Sequence, residues 1–237
     1  MSGNRWKAAA AVAATAVLSG RSRAAESAAA EELITKIRDK NDKVRAEAML
    51  GAGKVGAPAV KPLADVMATA DDFEVARAAR RAMWQITHTV GRPDADDERK
   101  AAVAALIPLA GGSLPVNVRR EVLWMISELA GDEAVEPVAA VLKEKELRED
   151  ARMVLQRLPG DKSLAALKAG LDAAPEDFKP NIAESLRARG VEVSGIPDEK
   201  MIPRKKTELK ALSPDEAAKA AEEAKKAKVS RRKGKKQ

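Results

Sequence analysis

The chain contains no cysteine and no tyrosine, and its one histidine is His88. Without cysteine it forms no disulfide, thiolate metal site or thioether-linked haem, and it has no cysteine for lipid attachment. One histidine excludes any multi-histidine metal centre, so no metal is expected. His88 would have to serve as the base of any Ser-His-Asp arrangement, and no G-x-S-x-G turn accompanies it. No glycine-rich loop is suited to phosphate; Gly111-Gly112 reads as the joint between two helices. Paired acids such as Asp71-Asp72, Asp96-Asp97-Glu98 and Glu149-Asp150 are expected on solvated helix faces in a chain with 36 acidic residues. The sequence therefore predicts no catalytic residue and no cofactor.

Aromatic residues make up 2% of the chain, and strand-like alternation is nearly absent. Hydrophobic residues reach 45%, mostly as Ala, Val and Leu. Such small side chains suit closely stacked helices. The apolar run Ala8–Leu18 is too short to span a bilayer as a helix. It follows Arg5 and Lys7 and precedes Ser22-Arg23-Ala24, the order of basic start, apolar run and small-x-small site found in secretory signals. Residues 1–24 are therefore expected to direct export to the periplasm or beyond, with cleavage after Ala24. The alternative is a cytoplasmic protein with a helical or disordered N-terminus.

One phrase recurs along the chain. AVKPLADVM at Ala59–Met67 returns as AVEPVAAVL at Ala134–Leu142 and, in weaker form, as SLAALKAGL at Ser163–Leu171. A shift of 29 places Val118 on Leu147, Arg119 on Arg148, Val122 on Ala151, Ile126 on Leu155 and Val135 on Leu164. A shift of 31 places Val75, Ala79, Met83 and Ile86 on Val44, Ala48, Ala52 and Val55. Self-similarity at such a period signals stacked helical pairs. Apolar residues spaced by three and four mark a first helix through Val44, Ala48, Ala52 and Val55, and a second through Val60, Leu63, Val66 and Met67. Gly56, Gly131 and Gly160 separate such pairs. Pro62, Pro108 and Pro137 are expected in the first turn of second helices, where a missing N–H costs little.

The succession V-R-x-x-A, L-G-x-x-G and A-V-x-P-L-x-x-V-M resembles the short HEAT-like repeats of the bilin-lyase type. The match is clearest over residues 42–67, through Val44, Arg45, Ala48, Leu50, Gly51, Val60, Pro62 and Leu63. The resemblance extends over about residues 28–190. It implies an all-α, right-handed α-solenoid of about four to five antiparallel helix pairs, whose second helices line a concave face and whose partner is another macromolecule. The second unit departs from the pattern. Ala76 replaces the repeat arginine, and the polar stretch His88–Lys100 reads as an inserted, protruding loop. On this resemblance Arg45, Arg119 and Arg148 form a ladder paired with acids of the neighbouring repeat. Trp84 and Trp124 fall within first helices and are expected to pack between helices.

Charge separates the ends from the middle. Residues 204–237 carry thirteen Lys or Arg against five Asp or Glu, whereas the whole chain has a net charge of +7. The body between the N-terminal segment and this tail is therefore mildly acidic. Ser213-Pro214-Asp215-Glu216 is a capping box with proline at the first helical position, predicting a helix over about 214–228. The expected organisation is a signal peptide over 1–24, a solenoid over 25–190, a linker over 191–203 and a basic, partly helical tail over 204–237. Arg231, Arg232, Lys233, Lys235 and Lys236 would attach that tail to an anionic partner or surface.

On the body, Lys61, Asp65, Glu136, Lys143, Lys168 and Asp172 are placed on second helices facing the concave groove. Their mixed signs suit a protein partner better than a polyanion. The expected function is a non-catalytic protein-binding scaffold or adaptor. One alternative is a bilin-lyase-like enzyme or accessory subunit, against which an export signal argues, since attachment of bilins is intracellular. A second is a HEAT-like nucleic-acid-binding protein, which the scarcity of aromatics and the acidic body oppose.

Overall fold

A computed structural model describes residues 24–198 and Ser213. The chain divides into two units, Met1–Asp198 and Glu199–Gln237, and all described residues except Ser213 belong to the first. The expected export signal over 1–24 lies outside the described residues save Ala24, as does the tail save Ser213. Among the described residues there are helices and turns and no strand. No described helix is long and apolar enough to cross a membrane.

The helices are α1 (24–37), α2 (Asp42–Gly51), α3 (Val60–Thr69), α4 (Phe73–Val90) and α5 (Asp96–Ala110), followed by α6 (Val116–Leu129), α7 (Val135–Val141), α8 (Arg148–Arg157), α9 (Gly160–Ala173) and α10 (Lys179–Ala188). Local chemistry accounts for several boundaries. Asn41 caps α2 by accepting from the Lys43 N–H, and Asp72 caps α4 by accepting from the Glu74 N–H. Gly56, at φ 71°, reverses the chain between the turns Ala52–Lys54 and Ala57–Ala59 that precede α3.

Helices of even number pack in sequence, α2 on α4, α4 on α6, α6 on α8 and α8 on α10. Odd-numbered helices do the same, α3 on α5, α5 on α7 and α7 on α9. Between the two series, α3 packs on α4, α5 on α6, α7 on α8 and α9 on α10. The buried faces follow the apolar spacing. Val60, Leu63 and Val66 are buried on α3; Val118, Val122 and Ile126 on α6; Ala151, Val154 and Leu155 on α8. Alanine occupies many of the tightest positions, with Ala52, Ala59, Ala64, Ala79, Ala82, Ala102, Ala110 and Ala151 fully buried.

Several expectations need correction. The stretch His88–Lys100 is not a protruding loop: His88 lies within α4, and Asp96–Lys100 form the first turn of α5, leaving a short connection over 91–95. Asp96, Asp97 and Glu98 sit where carboxylates favour the positive end of a helix, which explains why polar sequence is helical here. The Arg92 guanidinium closes the turn with two hydrogen bonds to Glu98, at 2.9 and 2.7 Å. Pro108 is likewise not in a first turn but near the C-terminal end of α5, on its exposed side. Residues 191–198, expected as linker, fold back onto α10: the Val191 N–H donates to the Leu186 carbonyl, and Arg187 donates to the carbonyls of Val193 and Ile196.

Gly53 marks the closest approach between the turn after α2 and α4. A Cβ built there would lie 2.1 Å from Thr89 Oγ1, and that hydroxyl is already donating to the Gln85 carbonyl at 2.7 Å. Thr89 is β-branched and so has little rotamer freedom to yield. Gly53→Ala is expected to cost about 1–3 kcal/mol through this overlap. Leu155→Ala, at a fully buried site, is expected to cost about 2–5 kcal/mol. Urea denaturation of both variants measures these losses.

Candidate functional site: a charged helical face and its supporting ion pairs

Five of the six body residues expected to bind a partner lie on odd-numbered helices. Lys61 and Asp65 are on α3, Glu136 on α7, and Lys168 and Asp172 on α9. Lys143 is instead in the turn after α7. Lys61 Nζ and Asp65 Oδ2 form an i,i+4 ion pair at 2.7 Å, and both side chains remain open to solvent. Glu136, Lys143, Lys168 and Asp172 are exposed. No residue of α5 was assigned to the face, although α5 stands between α3 and α7 in the packing order.

Lys143 borders a groove of about 490 Å³ between α7 and α9. Ala139, Ala140, Ala166 and Gly170 line its floor, with Lys145 at its edge. The groove is wide because these side chains are small. Among the described residues no group of His, Asp and Glu side chains could hold a metal ion. The tail residues Arg231, Arg232, Lys233, Lys235 and Lys236 lie outside the described residues.

Beneath the surface, arginines tie successive repeats together. Arg119, nearly buried, donates from Nε to the Ala110 carbonyl at 2.8 Å and grips Glu144 with both terminal nitrogens at 2.7 Å. Arg148, one repeat later, donates to Asp177 at 2.6 Å and stacks 4.5 Å from the Phe178 ring centre. Arg45 does not continue this ladder; it pairs with Asp42 on its own helix and donates to the Asp39 carbonyl. The repeat position is shared, but the first turn of α2 carries its own acid, Asp42, which supplies the nearer partner.

A second set of contacts crosses between even-numbered helices. Glu121 on α6 accepts from Arg80 and from the Trp84 indole, each at 2.7 Å. Asp150 on α8 accepts from Arg120 at 2.9 Å and from the Trp124 indole at 3.0 Å. Trp84 thus packs against the core as expected, whereas Trp124 lies at the surface and only its N–H is held by a carboxylate of the next helix. Glu121 was not singled out from the sequence, and Asp150 was expected on a solvated face but is largely covered by its partners; the 29-residue shift that aligns Arg119 with Arg148 also aligns Glu121 with Asp150.

These pairs set the charge states. Hydrogen bonding to Arg119 holds the Glu144 carboxyl below its ordinary pKa, and Arg148 does the same to Asp177. For Glu149, burial pushes the value up, but hydrogen bonds from Arg152 and Asn181 prevail and the net shift is downward. A carboxyl whose folded pKa lies below its unfolded one stabilises the fold above the unfolded pKa, and the stabilisation fades as pH falls through the folded value. Acid should therefore loosen these pairs only below the ordinary carboxylate range. Arg119→Gln is expected to return the Glu144 titration toward its ordinary value and to cost roughly 1–3 kcal/mol, partly by leaving the Ala110 carbonyl without its charged donor. Carboxyl NMR titration and urea denaturation check the two effects.

No family model matches the chain, and no curated protein matches it. Among solved structures, a crystal structure described as an engineered protein from a structural genomics consortium is 18% identical, covers 67% of this chain and 78% of its own, and has a TM-score of 0.36. A likeness of that degree carries no argument about function.

Proposed function

We propose that the protein is a non-catalytic scaffold, built as a HEAT-like, right-handed α-solenoid of four to five antiparallel helix pairs, that binds a protein through its odd-numbered helices. The observation that carries this reading is the consecutive packing of α3, α5, α7 and α9, which sets exposed charges of both signs beside the α7–α9 groove. A partner surface of alternating charge with small apolar contacts would complement it. Shifted titratable groups such as Glu144, Glu149 and Asp177 are explained by their ion-pair and hydrogen-bond partners, so none needs a reacting substrate to account for it.

In this reading residues 1–24 are an export signal, and residues 204–237 add a second, electrostatic attachment to an anionic partner or surface. Capture from the source cells by the chain from residue 25, followed by mass spectrometry, tests the scaffold function. A partner retained by wild type and lost from a Glu136→Lys, Lys168→Glu variant of unchanged melting temperature supports the proposed face. Retention by that variant refutes it. Deleting residues 204–237 is expected to remove a salt-sensitive component of binding while leaving melting unchanged.

The intact mass of the protein recovered from those cells tests export separately. A mass beginning at Ala25 is expected, and one retaining Met1–Ala24 overturns the assignment.

A further inference from the structure

Polar links cross the intervals from α4 onward along the even-numbered helices. The α4–α6 interval has Glu121 held by Arg80 and Trp84, and the α6–α8 interval has Asp150 held by Arg120 and Trp124. Across α8–α10, Asn181 donates to Glu149 and Arg152 to Ser185. The α2–α4 interval breaks this series. Among the described residues no hydrogen bond or ion pair joins α2 to α4. Where α6 and α8 each offer a carboxylate to the preceding helix, α4 lines its groove with α2 through Glu74, Arg77, Ala78 and Arg81, and Glu74 is already paired with Arg77.

Arg81 is exposed and, among the described residues, takes part in no ion pair or hydrogen bond. It lines two adjoining grooves of about 180 and 450 Å³. In the first it stands beside the ion pairs Asp42–Arg45 and Glu74–Arg77, and in the second with Leu50, Trp84 and His88. Leu50 is 65% exposed, beside a tryptophan already half-buried. The other arginines lining these two grooves are paired, Arg45 with Asp42, Arg77 with Glu74 and Arg80 with Glu121. One cation is left over, next to an uncovered apolar patch.

We propose that the α2–α4 groove binds an acidic peptide segment of a protein partner, its carboxylate pairing with Arg81 and a neighbouring large apolar side chain covering Leu50 and Trp84. The incoming carboxylate would pair with the groove guanidinium that Asp42, Glu74 and Glu121 leave free. A guanidinium beside an apolar rim favours such a group, because the ion pair forms where one side is already shielded from water. A nucleic acid fits less well. It engages a row of cations along its phosphates, and three of the four arginines here are already paired. The surface is separate from the odd-numbered helices, so it stands or falls independently of the scaffold's principal face.

A random peptide display library selected against the full chain tests the proposal, followed by fluorescence anisotropy on the recovered peptides. Recovered sequences should place Asp or Glu next to Leu, Ile or Phe. Their affinity should fall about tenfold or more in Arg81→Glu, fall in Leu50→Asp, and be unchanged in Lys168→Glu. Both groove side chains are exposed, so melting temperatures should stay at the wild-type value and report any loss of fold. Oligodeoxythymidine and inorganic phosphate serve as competing probes. Recovery of no acidic apolar sequence, indifference of such peptides to Arg81→Glu, or their displacement by oligodeoxythymidine would each overturn the proposal. Loss of binding in Lys168→Glu alone would assign the peptides to the odd-numbered face instead.

Discussion

The close approach of helices through small side chains is the constraint on which the rest of this structure depends. Alanine at positions such as Ala52, Ala79, Ala102 and Ala151 buries little area by itself, yet it lets the larger Leu, Ile and Met side chains of neighbouring helices meet. Gly53 takes this to its limit, since even one carbon there collides with Thr89. Close stacking also dictates what can happen at the rims. Once backbones are drawn together, long side chains at the edges of one helix reach the next helix rather than water. The arginine and tryptophan contacts are a consequence of that geometry.

Those contacts divide the labour between burial and direction. Burial of Val, Leu and Ile is nearly indifferent to register, because many apolar pairings would serve. A guanidinium clamped on both oxygens of Glu144 and on the Ala110 carbonyl is not indifferent. It satisfies the end of α5 and the turn before α8 with one side chain. Arg189 acts similarly near the end of the series, donating to the carbonyls of Leu155, Leu158 and Gly160. Arginine serves here because its fork offers several donors in one plane. The same fork at Arg81 has nothing to clasp.

The helical architecture was legible because it rests on periodicity, and the buried stripes of α3, α6 and α8 fall on the residues that the spacing of three and four marks. The stretch His88–Lys100 was misread because polar composition resembles a loop, whereas its acids at the start of α5 favour the helix dipole. Pro108 was misplaced by analogy with Pro62 and Pro137, which do stand in first turns. The exposed face was legible only as a set of positions. Lys143 fell just beyond α7, because a helix ending one residue earlier or later leaves the apolar pattern unchanged. Partners of the arginines were hidden for a different reason: Glu144 and Asp177 lie in turns, where no periodicity constrains them.

Global charge describes the tail and not the helical body. The net charge of +7 is concentrated in residues 204–237, while the helical body carries acids and bases that largely neutralise each other in pairs. In such a body, the magnitude of the charge says little about binding, because a paired arginine has already spent its donors. What matters is where pairing fails. An unpaired cation in a solvated patch costs nothing and means little. An unpaired cation in a groove whose other arginines are all paired, flanked by an exposed leucine, leaves two complementary needs side by side. A single segment carrying an acid and an apolar side chain meets both at once, which neither a free anion nor an apolar ligand can do.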